Sequence, residues 1–600
     1  MAAASKQDLR LGRGSGHLWA VELAAAIGLA APSVAMAQQA PVTPPTRSDL
    51  EPVPQAKTAP RPRLTVDDGV ERAPCALEDP AYSSIKIRIT TATFHNLGPV
   101  RASELSDTYA DLVGTEQPVS VVCRIRDAAA TRLRNLGYIA AVQVPAQRIE
   151  NGAVTFEILY AKVTSIRLVG KVGRNERLIE SYLSKLTDGQ LFNRFEAERY
   201  LLLARDIPGY QVRLSLKPAG TGAGEMIGEV RIDYTPVTVD FSAQNYAGAS
   251  TGRYGGQLRA VFNGLTGMGD RTTLSFYTTA EVHEQNILQA GHEMALGGNG
   301  LRLGGRVTYA WTRPDLGPAV PDVSARTLFA NFETIYPFVR KQAVTIRAAA
   351  GLDFVNQTVN FGGLPLSEDR LRVGYLRLDF DAIDLKGMGP GGSILWKING
   401  SLEARKGLSI FGASPNCIAR QATCLAAGFV APSLSGGDPK AAVFRFNANI
   451  ELHPLRRFVV ALSPRAQVAT AGLFSFERFS LGNYTVGRGF DPGTVTGDDG
   501  VGIQTELRYE GFRLNPRSKL EFQPYLFVEN AWTWDRSAAT GGAQKLHSLG
   551  GGLRSSIGGR ARLDLAVAFP RTILPGETGR RDPRFLATYS MNLLPWSTRR

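Results

Sequence analysis

The chain has 600 residues, of which 44% are hydrophobic and 20% are charged, with 63 glycines and only 4 cysteines. This length allows several domains with sizeable cores and excludes both a disulfide-dense miniature fold and wholesale disorder. The formal net charge of +14 is spread along the chain without a long basic run, so the charge alone is weak support for a nucleic-acid partner.

The N-terminus, residues 1–37, has the pattern of a cleaved secretory signal peptide. Basic residues precede an apolar stretch over 18–31, and the small residues Ala35 and Ala37 follow at the expected cleavage position. Beyond it we find no stretch of uncharged apolar residues long enough for a spanning helix. If the mature chain crosses a membrane, we therefore expect it to cross with strands.

Residues 38–80 are predicted to form a proline-rich linker. Seven prolines fall between Pro41 and Pro62, which favours an extended, semi-rigid chain without a packed core. We identify no convincing helix between Gln38 and Pro80. Folded structure is expected to begin after this linker.

Two small α+β domains are predicted next, over residues 81–163 and 164–236. In the first, the order is strand, helix, helix, strand, strand, and Asn151-Gly152 is a hairpin signal between the last two strands. The segment SELSDTYADLVG is expected to be the first helix and IKIRITTATF one strand. The same order recurs in the second, which predicts an internal repeat of about 75 residues.

Residues 237–600 lose the helical period and alternate between polar and apolar residues in short segments separated by Gly, Asp, Asn and Pro. An even number of such segments suits a closed antiparallel barrel. We count sixteen predicted strands, which begin near residues 237, 252, 271, 285, 301, 326, 343, 371, 392, 441, 457, 501, 520, 546, 561 and 584.

A soluble sandwich would also alternate, so the pattern alone leaves two architectures open. The polar faces carry charges of both signs on successive strands, which suits a wet lumen better than a buried core. Together with the secretory signal, this favours a transmembrane β-barrel.

Catalytic and metal-binding patterns are not found. The sequence contains no HExxH, GxSxG, Walker-type glycine loop or CxxC, and its 6 histidines do not have ligand spacing. The GDDG at 497–500 is expected to be a tight turn that enters a strand. We therefore predict no enzyme activity, no metal and no cofactor.

A loop of about 30 residues between two predicted barrel strands is the strongest candidate for function, because long loops among short connections are usually functional. It contains Val486, Gly487, Arg488, Gly489 and Phe490. The permanent charge of Arg488 needs a carboxylate if the loop leaves bulk water. The alternation of the strand around residue 529 points Glu529 into the lumen, which makes it the natural ionic partner.

The four cysteines form two sets that lie close in sequence. Cys417 and Cys424 are predicted to form a disulfide that closes a short polar loop in an exported chain. For Cys75 and Cys123 the sequence leaves both a disulfide and buried thiols open.

Taken together, these features resemble the two-partner secretion transporters (TpsB type) of the outer-membrane assembly-factor superfamily. The resemblance covers the proline-rich linker, two POTRA-like repeats, a sixteen-strand barrel and the loop with VGRGF, similar to the family's VRGF/Y signature. The run LGYIAAVQVPAQRIENG also resembles the family's first POTRA repeat. In the family, an FxDxG aspartate faces the signature arginine, whereas this chain has Glu529 and Ala531 at the matching positions.

The resemblance implies an outer-membrane pore of a Gram-negative bacterium that exports a large, β-helical client from periplasm to surface without nucleotide hydrolysis. It implies POTRA-like domains in the periplasm, contact with outer-membrane lipid and a monomeric transporter. The alternatives are a factor that inserts other barrels and a passive or gated porin. A nucleic-acid partner is not expected, because no clustered basic and aromatic surface is found.

Overall fold

A computed structural model of the chain describes residues 46–50, 75–187, 191–222, 224–384, 394–418, 424, 427–513, 519–536 and 542–595. The predicted signal peptide and most of the predicted linker lie outside the described residues. The first described element is one helical turn, α1 (Arg47–Leu50).

The first repeat packs one long helix on a three-stranded sheet of order β2-β5-β4, with a separate β1-β3 ribbon beside it. The apolar face of the helix is fully buried, because Val122, Ile125, Ala129 and Leu133 recur at helical spacing. The elements are β1 (Lys86–Arg88), β2 (Thr91–His95), β3 (Glu116–Pro118), α2 (Val121–Asn135), β4 (Ala140–Gln143) and β5 (Ala153–Tyr160).

Two local predictions for this repeat were wrong. The segment expected to be the first helix forms three 3₁₀ turns instead, over 102–112. Its hydroxyl side chains compete with helical hydrogen bonds, since Ser106 and Thr108 each donate to a backbone carbonyl three residues earlier. The segment expected to be one strand is divided into β1 and β2, because each pairs in a different sheet.

The turn predicted at Asn151-Gly152 is present, with φ of +53° and +76° at these residues. It directly precedes β5, but the preceding strand already ends at Gln143. A Cβ on Gly152 would lie 2.1 Å from the carbonyl oxygen of Arg88, so this position requires glycine.

The second repeat has a three-stranded sheet with the same strand order, β6-β8-β7, but it has two helices where the first repeat has one. Asn193 caps its second helix by accepting a hydrogen bond of 2.9 Å from the N–H of Phe195. The elements are β6 (Lys162–Gly170), α3 (Glu176–Leu183), α4 (Arg194–Arg205), β7 (Tyr210–Pro218) and β8 (Glu225–Tyr234). None of the helices among the described residues combines the length and apolarity that crossing a bilayer requires.

The remaining strands close into a sixteen-stranded antiparallel barrel, which confirms the predicted fold class and the strand count. The first eleven are β9 (Val237–Gln244), β10 (Gly255–Asn263), β11 (Arg271–Thr279), β12 (Gln285–Leu296), β13 (Leu301–Thr312), β14 (Val323–Arg340), β15 (Val344–Phe361), β16 (Leu364–Ile383), β17 (Trp396–Gly407), β18 (Ala442–Leu455) and β19 (Phe458–Ala469).

After β19 the chain forms a small ribbon, β20 (Phe479–Leu481) and β21 (Val495–Gly497), that is separate from the barrel wall. The wall then resumes, and its last strand pairs with its first, β26 with β9. The last five strands are β22 (Asp499–Tyr509), β23 (Leu520–Trp534), β24 (Gln544–Ile557), β25 (Ala561–Pro570) and β26 (Arg584–Leu594).

The two faces of the barrel wall differ as the alternation predicts. Large apolar side chains on the outside stay exposed, for example Leu376 at 66% and Phe585 at 73%. Charged side chains on the inside are buried, including Arg405 and Glu529. An apolar outer surface with a charged interior is the arrangement that a lipid environment requires.

The second repeat is fixed to one end of the barrel through Asn175, which is fully buried. Its side-chain oxygen accepts a hydrogen bond of 2.9 Å from Gly269 N–H in the β10–β11 turn, and its amide donates to the Tyr210 hydroxyl at 3.1 Å. Arg340 at the end of β14 adds a two-pronged contact of 2.6 and 2.7 Å with Asp206. The turns at this end of the barrel therefore face the repeats.

Asp270 shapes the turn that receives Asn175. Burial raises its pKa, but hydrogen bonds from the Thr266 hydroxyl and from the backbone N–H groups of Thr266 and Leu265 outweigh burial and leave the pKa below its usual value. The carboxylate thus remains ionised and holds the turn closed.

We predict that Asn175→Ala loosens the junction between the second repeat and the barrel. Loss of this amide leaves the Gly269 N–H without a partner, while the Tyr210 hydroxyl still donates to the Val172 carbonyl, at a cost of about 1–3 kcal/mol. Limited proteolysis of the folded protein should cleave the junction faster. Asn135→Ala, at an exposed position in the last turn of α2, is the control and should leave the cleavage rate unchanged.

Candidate functional site

The loop between β19 and β22 folds into the barrel lumen. Val486 and Phe490 of the VGRGF motif are fully buried and pack with Leu481, Ala531 and Leu546. These contacts join the loop to side chains from β23 and β24. The apolar residues of the motif thus hold the loop against the inner wall.

Glycine permits the backbone geometry at the centre of the motif. Gly487 has φ of +118°, a region that favours glycine. Its N–H and the N–H of Arg488 converge on one oxygen, Glu529 Oε2, at 3.0 and 2.6 Å. Successive backbone N–H groups in this arrangement form an anion-binding concavity, and here the anion is a carboxylate of the barrel wall.

The Arg488 side chain lies between two carboxylates. Its Nε is 3.0 Å from Glu529 Oε1 and its Nη2 is 2.5 Å from Glu506 Oε1. The guanidinium also lies 4.3 Å from the ring centroid of Phe527, a cation–π contact. The structure thus brings Arg488 and Glu529 together and adds Glu506, which the sequence analysis did not single out.

Glu506 is the centre of a larger charge cluster. Besides Arg488, it contacts Arg508 Nε at 2.6 Å and Arg554 Nη2 at 3.0 Å. Arg554 in turn pairs with Asp564 at 2.8 Å. One signal for Glu506 existed in the sequence, because it lies on the polar face of its strand beside Arg508, but spacing alone could not distinguish it from other lumen residues.

The departure from the FxDxG pattern at residue 531 is accommodated by the loop. Ala531 is fully buried in the apolar cluster of the motif. A Cβ on the facing Gly502 would lie 3.1 Å from the methyl carbon of Ala531 and 3.1 Å from Val486 Cγ2. The alanine methyl therefore fills space between the wall and the loop.

The residue after the motif, Asp491, connects the loop to both sides of the barrel closure. Its Oδ1 lies 3.1 Å from Arg253 Nη1, next to β10, and 3.0 Å from Arg584 Nη1, at the start of β26. The sequence analysis did not identify Asp491 as a contact residue. The loop thereby links the β9–β10 connection to the start of the last barrel strand.

A second charge cluster holds the base of the loop. Glu477 accepts bonds of 2.8 Å from Arg405 and of 2.8 Å from Arg445. Arg405 is fully buried and also contacts Asp353 at 2.7 Å and Glu403. The loop is therefore anchored by ion pairs at two levels of the lumen.

The helical turn α1 lies in the lumen beside this second cluster. Arg47 Nη1 is 3.4 Å from Asp353 Oδ2 and 3.5 Å from Glu403 Oε1, while Gln289 donates to the Leu50 carbonyl at 2.9 Å. The expectation that 38–80 contains no helix was thus wrong for this turn. Its four residues are too few for a helical period to be recognised, and prolines precede it.

The two aspartates of GDDG accept backbone hydrogen bonds from the segments around the start of β22. Asp498 accepts hydrogen bonds of 2.8 Å from the N–H groups of Leu473 and Arg536, and Asp499 accepts one of 2.7 Å from Ala469 N–H. Within the described residues no set of three His, Cys, Asp or Glu side chains is arranged around a metal position.

Both pairs of cysteines form disulfides in the structure. Cys417 and Cys424, in the loop after β17, have Cα atoms 6.1 Å apart. Cys75 and Cys123 join the segment just before the first repeat to α2, also with a Cα separation of 6.1 Å. The latter pairing, which the sequence left open, brings together residues 48 positions apart.

We predict that Glu506→Gln loosens the loop. The substitution removes the shared carboxylate from three arginines, and loss of a partner from a buried charge costs about 3–5 kcal/mol. Single-channel recordings in planar bilayers should show more frequent openings. Glu293→Gln is the matched control, because Glu293 pairs with Arg271 and Arg302 away from the loop. Equal behaviour of the two variants would contradict the role of Glu506.

Comparisons with known proteins agree with this architecture. The family described as "Haemolysin secretion/activation protein ShlB/FhaC/HecB" matches residues 230–555. The heme/hemopexin transporter protein HuxB of Haemophilus influenzae strain 86-028NP is 23% identical over 487 residues, which cover 78% of this chain and 81% of HuxB.

Two solved structures have the same fold. CdiB from Escherichia coli has a TM-score of 0.66 at 15% identity, over 88% of this chain and 94% of that chain. CdiB from Acinetobacter baumannii has a TM-score of 0.59 at 17% identity, over 92% of this chain and 94% of that chain.

The family match, which spans more than half of the chain, favours export over barrel insertion and passive diffusion. The repeat-then-barrel architecture agrees with the fold of the two CdiB structures. The chain therefore belongs to the ShlB/FhaC/HecB haemolysin secretion/activation family, the two-partner secretion transporters that export a partner protein through a barrel in the Gram-negative outer membrane.

Proposed function

We propose that the loop bearing Arg488 is the gate of this transporter and that client binding at the POTRA-like repeats releases it. The observation that carries this proposal is the contact of Arg488 with both Glu506 and Glu529 inside the lumen. A polypeptide that passes through the barrel must displace the loop. We assign Val486, Gly487, Gly489 and Phe490 to the same gate.

Ion pairs suit a gate that opens reversibly. The Arg488 side chain is 16% exposed, and its partners Glu506 and Glu529 are 4% and 0% exposed. Separating these charges is costly while they are dry, but water or a polar client chain can solvate each of them. A gate held only by the apolar residues of the motif would not be released when water or a polar chain enters, because it has no charges to solvate.

The energy required is within reach of client binding. Moving a two-state gate from 1:99 to 99:1 needs about 5.5 kcal/mol of preferential binding to the open state. Main-chain hydrogen bonds to an added strand contribute about 1 kcal/mol each, and buried client side chains add more. An extended client segment of moderate length can therefore bias the gate.

We propose residues 81–163 and 164–236 as the two client-receiving domains, with β7 as the docking edge. β7 pairs with β8 over nine consecutive residues without a bulge, whereas the opposite edge strand, β6, is bulged between Val163 and Ser165. Regular edges accept an added strand, and bulges oppose it. Among the described residues β7 has no other strand neighbour.

The client we propose is a large, exported β-helical protein that crosses the outer membrane unfolded. Folding outside the cell would supply direction, so that the transporter itself needs no nucleotide hydrolysis and no cofactor. One barrel with its own lumen suffices for this cycle, which supports a monomeric transporter in contact with outer-membrane lipid. We assign it no nucleic-acid partner and no catalytic residue.

We expect Arg488→Ala to reduce surface delivery of the partner at least about tenfold, because the loop loses its wall contacts and cannot reset. The measurement is a surface-secretion assay with the partner protein that this transporter exports. Arg259→Ala is the control, since Arg259 is also a lumen arginine but pairs with Asp240 away from the loop. Secretion at the wild-type level in Arg488→Ala would overturn the gating role.

Docking at β7 is tested by a photo-crosslinking residue at Arg213, an exposed position on this strand. It should capture the client in intact cells. The same residue at Arg177, an exposed position on α3, is the control and should capture much less. Equal capture at both positions would contradict docking at the β7 edge. The gating role of the Arg488 loop would then depend only on the secretion assay.

A further inference from the structure

The lipid-facing wall of the barrel contains an apolar groove that the export cycle does not use. Its volume is about 660 Å³, within the usual range of ligand pockets, and it crosses β14 to β18. Its rims are the large exposed side chains of Phe332, Leu376 and Phe444. We call this feature the outer groove.

Strand register explains why a groove forms here. Phe332, Leu352, Gly374 and Lys406 occupy one row of directly paired residues across four strands. A Cβ on Gly374 would stand 3.4 Å from Leu408 Cδ1 and 3.7 Å from Leu352 Cδ2, so the absent side chain leaves space between larger neighbours. The outer groove is therefore a gap in the wall that a larger side chain could fill.

Two cations stand at the end of the outer groove that is remote from the POTRA-like repeats. Lys406 lines the groove near the end of β17, and Lys440 precedes the start of β18. Both are exposed. The backbone brings them close, because a Cβ on Gly407 would lie 2.9 Å from the Cα of Lys440. In the described part of the chain neither lysine forms a salt bridge.

A third cation of this region is already engaged. The Arg372 guanidinium donates to the carbonyls of Val355, Leu371 and Phe411 at 2.8–3.1 Å. It is 8% exposed and stacks 5.6 Å from the Phe354 ring centroid. Arg372 therefore braces the wall, and the two lysines remain as the charges offered to a ligand.

We propose that the outer groove binds a phosphate-bearing lipid of the outer leaflet, with an acyl chain along the groove and the phosphate between Lys406 and Lys440. An apolar cleft in contact with the bilayer matches an acyl chain. Lysines at the extracellular end match an anionic headgroup at that depth. Two other ligands fit less well. A free phosphate would leave the apolar groove empty, and a zwitterionic lipid would bring no net negative charge to the two lysines.

Lipid at this position would brace the wall behind the loop. Lys406 adjoins Arg405, whose side chain points to the lumen and holds Glu477 at the loop base. The bound lipid and the loop thus contact opposite faces of β17. This proposal requires only the outer-membrane location and not the gating role of Arg488.

The test is native mass spectrometry of the full-length detergent-purified protein after incubation with diphosphorylated lipid A. We expect the wild type to retain one lipid A and to retain phosphatidylcholine at least about tenfold less. Gly374→Leu, which fills the outer groove, should lower retention about tenfold through lost burial of methylene groups. Gly256→Leu is the control, an outward glycine whose added Cβ would meet nothing closer than 3.6 Å.

The lysine pair is tested separately. Lys406→Gln with Lys440→Gln should lower lipid A retention about tenfold, because a phosphate contact is lost, and the double arginine variant should restore it. Lys86→Gln, at an exposed lysine of the first repeat, is the control. A heat-modifiable band on seminative gels checks barrel closure. If the barrel of the Gly374→Leu variant does not close, the lysine variants alone test whether the outer groove binds lipid A.

Three results would overturn the proposal. The first is equal retention of lipid A and phosphatidylcholine by the wild type. The second is unchanged lipid A retention in folded Gly374→Leu and in the double glutamine variant. The third is complete displacement of lipid A by millimolar inorganic phosphate, since this would mean that the headgroup binds alone and the acyl chain adds nothing.

Discussion

A buried arginine requires compensating charge, and in this barrel that requirement organises the lumen. Arg488 reaches the interior on a flexible glycine backbone and meets carboxylates from two neighbouring strands, β22 and β23. Glu529 compensates twice, because it pairs with the guanidinium and also accepts the backbone N–H groups of Gly487 and Arg488. Removal of either partner would leave a buried charge without its counterion, which is costly.

The same principle operates at the base of the loop, where Glu477 joins Arg405 and Arg445. The turn α1 adds Arg47 to the carboxylates that surround Arg405. The turn α1 and the base of the loop thus belong to one charge cluster. The Arg488 cluster and the Glu477 cluster have different members, so each holds the loop through its own contacts. Between these two clusters, the apolar packing of Val486 and Phe490 limits the position of the loop.

The outer surface of the barrel is in contact with lipid and not with water. Its large apolar side chains are exposed and need no partner within the protein. At the periplasmic end, buried polar contacts such as those of Asn175 fix the second repeat against the turns. There β7 has no second strand neighbour among the described residues. The lumen is thus lined by ion pairs, the lipid-facing surface is apolar, and the periplasmic end is held by buried polar contacts.

The sequence by itself determined the strand count and the repeat-then-barrel order, because side-chain alternation is a local property of each strand. Most predicted strand starts lie within a few residues of the observed ones. The eighth begins at Leu364 and not near 371, since its first residues carry mixed polarity beyond the regular pattern. Arg488 and Glu529 were also identified, from strand alternation and from the resemblance to the secretion family.

Only the tertiary structure decided which lumen charges meet. Glu506, Glu477 and Asp491 look like many other polar residues in the sequence, and alternation gives the face of a strand but not the level at which two distant strands align. Barrel closure and register set those distances, as they set the row Phe332, Leu352, Gly374 and Lys406. Local pattern therefore fixed the elements, and long-range pairing fixed the sites.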